Sequence, residues 1–136
     1  MTGRMTNVRA GAAGVFPAAL TGVLAYLLPR EMARELFAVA MTLIGAAYYG
    51  FAFSAPAGKA RIVEVIAASL FVASAILGLW ASPWFIAAGL FAHGVWDLLH
   101  SNNRASLACI PGWYIPFCVV YDWLAGAILV IWIVQM

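Results

Sequence analysis

The chain has 136 residues, of which 66% are apolar and 9% charged, with a formal net charge of +2. Soluble domains carry about a quarter charged residues, and a chain this short cannot hide so much apolar surface in one soluble core. A soluble domain is therefore excluded, and the small net charge gives nucleic-acid binding no support.

The apolar runs are continuous and do not alternate, which argues against an outer-membrane barrel. A transmembrane helix needs about 20 consecutive apolar residues, and five runs qualify. The first, about 10–28, follows Arg4 and Arg9, as the apolar part of a signal peptide would. It contains Pro17, however, and ends at Tyr26-Leu27-Leu28-Pro29 with no small-x-small cleavage site. A retained span is expected, with Gly14, Ala18 and Gly22 as a packing face.

The second run, about 34–54, has Glu35 near its start and Tyr48 and Tyr49 near its end. A turn from Ser54 to Lys59, with Pro56 and Gly58, separates it from the third run, about 61–80. That run holds Glu64, while Ala67, Ala68, Ser74 and Gly78 give it a tight surface. The fourth, about 84–101, follows the slight break Ser82-Pro83 and is the shortest. The fifth, about 113–134, follows a loop from Ser101 to Gly112 that contains Pro111. The expected fold is all-α, a polytopic transmembrane bundle of five up-and-down spans forming one integral membrane domain over 1–136. Four spans with a re-entrant fourth segment is the alternative.

Five spans put Arg4, Arg9, Lys59, Arg61 and Arg104 on one side and only Arg30 and Arg34 on the other. The positive-inside rule then places the N-terminus in the cytoplasm and the C-terminus outside. Trp80 and Trp84 at the outer turn, and Trp113 and Tyr114 at the start of the fifth run, suit interfacial aromatic belts. Cys109 falls in the inner loop and Cys118 inside the last span, so no disulfide is expected.

The acids are the informative residues. There are five, Glu31, Glu35, Glu64, Asp97 and Asp122, and all but Glu31 lie inside hydrophobic stretches. In His93-Gly94-Val95-Trp96-Asp97-Leu98-Leu99-His100 the i, i+4, i+7 spacing puts His93, Asp97 and His100 on one helical face. Ionisable groups at membrane depth are costly and usually mark a working site. Counted at about 1.5 Å per residue from the inner ends, His100 lies at the interface, Asp97 and Glu64 roughly 6 Å in, and His93 and Asp122 roughly 12 Å in. One cluster is expected in the inner half: Glu64, His93, Asp97, His100 and Asp122, with Tyr48 or Tyr49 nearby and Glu35 outside it.

Tyr114, Cys118, Asp122 and Gly126 form a polar, small-residue stripe along the fifth span, and Ala125 and Gly126 admit a close neighbour. Plainer readings stand beside these. Glu64 can pair with Arg61 three residues earlier, and Cys118 can be a small packing residue. The aspartates can also form a buried lock with His93, Tyr121 or the Trp96 indole that fixes helix register.

Imidazole and carboxylate together suit zinc, manganese or iron, with His93, Asp97, His100 and Asp122 as candidate ligands. Asp97, Asp122 and Glu64 are the candidate catalytic carboxylates, any one left off the metal serving as general base. A bound ion would supply Lewis acidity for hydrolysis or rearrangement of a lipid entering sideways, or, with iron, its oxidation. The H-x3-D-x2-H spacing matches no standard zincin motif. Without metal the same groups make a proton relay of the kind used by ion-coupled carriers, for which a homo-oligomer would supply the missing half. A structural membrane subunit without chemistry is the third class.

His93-Gly94-x-Trp96-Asp97-x-x-His100, followed by Trp113-Tyr114-x-Pro116-x-Cys118-x-x-Tyr121-Asp122, resembles a domain-of-unknown-function family of small bacterial integral membrane proteins. The likeness covers about the last third of the chain. Members often carry a further histidine after the one matching His100, where this chain has Ser101. The resemblance implies a multi-pass protein of a bacterial inner membrane and marks the place of the site, without implying a reaction. The expected function is an intramembrane metal-binding protein acting on a lipophilic substrate from the cytoplasmic side.

Overall fold

The computed structural model describes residues 2–101 and 108–135, with side chains from residue 6 onward. It has five helices, α1 (Thr2–Leu27), α2 (Arg30–Ser54), α3 (Lys59–Trp80), α4 (Trp84–Ser101) and α5 (Tyr114–Val134), and no strand among the described residues. Arg104, assigned above to the inner side, lies outside the described residues. The helices begin earlier than the apolar runs at α1, α2 and α3. Regular backbone hydrogen bonding continues past the apolar stretch into polar residues such as Arg9, Arg30 and Lys59.

Each break has a local cause. Pro29 precedes α2, and its carbonyl accepts from Ala33 N at 2.9 Å to open the helix. Gly58 precedes α3 with φ +156°, a conformation that glycine adopts without a Cβ penalty. At the end of α2, Arg61 turns back from α3 and donates to the carbonyls of Ala52 and Ala55. It therefore satisfies helix-terminal acceptors, and the Arg61–Glu64 pair read from their spacing does not form. Pro83 stands at the α3–α4 turn, where its carbonyl accepts from Ile86 N and Ala87 N.

Helices α1, α2, α3 and α5 are long and apolar enough to cross a membrane. Helix α4 has 18 residues, about 27 Å of rise against a hydrocarbon core of about 30 Å. It is also the helix that carries His93, Asp97 and His100, which lower its hydropathy. It lies between two helix pairs, packing on α3 and α5, while α2 runs along α3 and α1 along α5.

Residue size is distributed inside out. Leu43, Leu70, Leu77, Trp80 and Ile131 face outward, while Ala18, Ala33, Ala68, Ala75 and Ala125 are buried. Small residues let the backbones approach closely, which is how helices associate where the solvent is itself apolar. Gly45 illustrates the fit: a Cβ there would stand 2.7 Å from the Phe71 Cβ. Gly14 lies against the Phe117 backbone and Gly22 against Ile128, so the α1 small-residue stripe packs on α5.

Candidate functional site

The α4 face formed by Ile86, Leu90, His93, Gly94, Asp97 and His100 is turned into the bundle. Above it α5 presents Cys118, Tyr121, Asp122, Ala125 and Gly126. Gly94 leaves the space occupied by the Trp123 indole, and Gly126 leaves that of the Phe91 ring. These two contacts set the level of α4 against α5 and bring His93 to Asp122.

His93 Nδ1 and Asp122 Oδ2 are hydrogen-bonded at 2.7 Å, and Asp97 Oδ2 lies 3.5 Å from the same nitrogen. All three residues are fully buried. Tyr48, also fully buried, donates its hydroxyl to Asp97 Oδ1. The ring of Phe71 stands edge-on to the His93 ring with centroids 4.8 Å apart. His93, Asp97 and Asp122 each offer a ligand atom within 4.8 Å of the others.

Glu64 and His100, expected in the same cluster, form a second group towards the end of the bundle that carries Lys59. His100 Nε2 is 2.7 Å from Glu64 Oε1, and its Nδ1 is 2.9 Å from the Trp96 carbonyl. Glu64 Oε1 also accepts from Ala108 N at 3.1 Å, and Oε2 from Trp96 Nε1 at 3.4 Å. Both His100 nitrogens are thus engaged. A carbonyl only accepts, so Nδ1 carries a proton, and a second proton lies between Nε2 and Oε1. Engaged in this way, His100 stands apart from the His93 group and leaves no lone pair for a metal. Tyr48 joins the two groups: its ring centroid is 5.3 Å from that of His93 and 5.3 Å from that of His100.

The other sequence candidates fall outside. Tyr49 bonds to Ser69 on an exposed surface, and Glu35 is exposed. Tyr121 bonds to Thr21 at 3.2 Å, and the Trp96 indole serves Glu64, so neither locks an aspartate. Cys118 is buried and Cys109 exposed, both as free thiols. The choice of Tyr48 over Tyr49 was readable from spacing: Phe37, Met41, Gly45, Tyr48 and Ala52 make one buried α2 stripe. The donor role of Trp96 had no such signal.

The donor count is the chemically telling feature. Among the described residues, Tyr48 is the side-chain donor to Asp97, and the His93 imidazole is the side-chain hydrogen-bond partner of Asp122. Asp97 Oδ2 and Asp122 Oδ1 are buried without a hydrogen-bond partner. Two buried carboxylates carry two negative charges, which an apolar interior does not tolerate uncompensated. One divalent cation beside a neutral imidazole balances them, as do two added protons.

The profile of the family of unknown function DUF6010 matches residues 10–135, and the chain belongs to that family. No curated protein and no solved structure matches the chain.

Proposed function

We propose that this is an intramembrane metal-binding protein in which His93, Asp97 and Asp122 hold one divalent ion. The observation that carries the reading is the pair of partnerless buried oxygens, Asp97 Oδ2 and Asp122 Oδ1, on carboxylates that flank His93. Imidazole with two carboxylates suits zinc, manganese or iron(II). Such an ion would supply Lewis acidity to a carbonyl or phosphoryl group of a lipophilic substrate. Tyr48 orients Asp97, as hydrogen-bonded neighbours of metal ligands do. The Glu64–His100 pair holds a proton at the inner end of the same polar column.

The positive charges favour a cytoplasmic N-terminus, with Arg9, Lys59 and Arg61 on the inner side and Arg30 and Arg34 on the outer. The substrate then reaches the site from the inner leaflet of a bacterial cytoplasmic membrane. A second reading, a proton-coupled transport component, is favoured by the Tyr48 ring standing between His93 and His100. There the two carboxylate charges are balanced by protons, and a homo-oligomer completes the path.

Metal content separates the readings. Detergent-purified protein without a polyhistidine tag is expected to carry near-stoichiometric zinc, manganese or iron, which His93→Ala and Asp122→Asn lose. Well-folded wild-type protein that takes up no metal even after loading would overturn the metal reading.

A further inference from the structure

At the end of the bundle opposite Lys59, a cavity of about 190 Å³ is lined by Arg30, Glu31, Arg34, Pro83 and Trp132. We infer that it holds the headgroup of a zwitterionic phospholipid, with the phosphate on Arg30 and Arg34 and the ammonium on Glu31.

Arg30 and Arg34 lie one turn apart on the same face of α2. Among the described residues neither guanidinium has a carboxylate within 4.0 Å, although Glu31 and Glu35 share the helix. The Nε of Arg34 is buried and has no hydrogen-bond partner. A buried guanidinium nitrogen without an acceptor is costly, and a phosphate oxygen is the acceptor its planar fork fits best. The same end of α2 adds donors. Pro29 gives no side-chain cap, and the first intrahelical bond is Ala33 N to the Pro29 carbonyl, so the amides of Arg30, Glu31 and Met32 have no helical acceptor.

The depth fits a headgroup. Pro83, one wall of the cavity, lies in the turn between Trp80 and Trp84, which are 83% and 50% exposed. Exposed tryptophans at helix ends mark the bilayer interface. Charge selects among lipids: two arginines attract phosphate, and Glu31 in the same wall repels a second negative group and attracts an amine. Trp132 adds an indole, a favourable neighbour for a cation. Phosphoethanolamine satisfies all of these, whereas phosphoglycerol leaves Glu31 unmatched.

The test is native mass spectrometry of the full chain in detergent with phosphatidylethanolamine and phosphatidylglycerol of identical acyl chains. Wild type is expected to retain the ethanolamine lipid about tenfold better, and Arg34→Gln to lose about tenfold of that retention, the scale of one charged hydrogen bond. Arg30→Gln, on an exposed side chain, reports on the same phosphate if the first variant does not fold. Glu31→Gln is expected to erase the preference while phosphatidylglycerol is still retained. Equal retention of the two lipids by wild type, or unchanged retention in both arginine variants, would overturn the inference. So would soluble O-phosphoethanolamine binding as tightly as the lipid, which would make the ligand a free phosphoamine.

Discussion

Truncation of Asp122 tests the site without reference to metal or substrate. Asp122 and His93 are both fully buried, and their hydrogen bond is 2.7 Å long. Asp122→Ala leaves His93 Nδ1 facing only Asp97 Oδ2 at 3.5 Å. If the pair is ionic, as it is when His93 carries a proton, breaking it costs about 3–5 kcal/mol, because the buried imidazolium loses its hydrogen-bonded carboxylate and keeps only Asp97 at the longer distance of 3.5 Å. If it is a neutral hydrogen bond between membrane helices, the cost is about 0.6 kcal/mol and at most about 1.7. The two cases differ by more than the error of a reversible unfolding titration. In metal-free protein unfolded with dodecyl sulfate and followed by far-ultraviolet circular dichroism, Asp122→Ala is expected to lose about 3–5 kcal/mol. Asp122→Asn keeps the volume and a neutral acceptor, so it is expected to lose about 1–2 kcal/mol. His93→Leu combined with Asp122→Leu and Asp97→Asn removes every charge of the cluster and is expected to recover most of the loss. A loss below about 1.7 kcal/mol in Asp122→Ala would refute the ionic pair and reduce the contact to a register lock.

Four further outcomes are expected. Gly45→Ala, whose Cβ would meet the Phe71 Cβ at 2.7 Å, loses about 1–3 kcal/mol in the same titration. Gly50→Ala, with no atom within 4 Å, gains about 0.5–1 kcal/mol, and equal effects at the two positions would contradict the packing of α2 on α3. Tyr48→Phe removes the hydroxyl donor to Asp97 and weakens metal binding about 10–100-fold in a chelator competition, with helicity unchanged. A double-mutant cycle of Glu64→Gln and His100→Ala gives a coupling of about 1.5–3 kcal/mol, while metal content stays at the wild-type level; a loss of metal in Glu64→Gln would place Glu64 among the ligands.

The sequence made the helices legible because an apolar run bounded by proline and glycine has few alternatives in a membrane. Counting helical rise put His93 and Asp122 at one level, and the structure joins them. It could not say how α3 is rotated against α4. That rotation is fixed by contacts between different helices, Gly78 against Ile86 and Gly89 against Ser74 and Met41, which no single-helix pattern encodes. So Glu64, at the depth expected for Asp97, turns instead to His100 and the Trp96 indole. Arg61, its apparent partner three residues away, is drawn off by the open carbonyls at the end of α2. Local charge spacing lost there to helix capping.

X-ray absorption at the metal edge of protein loaded with one equivalent of zinc or manganese reads the ligands of the ion directly. A first shell with one imidazole nitrogen and carboxylate oxygens, in which the imidazole scattering vanishes in His93→Ala and persists in His100→Ala, is the predicted result. A shell of water-like oxygens alone, or one in which the imidazole signal follows His100, would contradict the assignment of His93, Asp97 and Asp122.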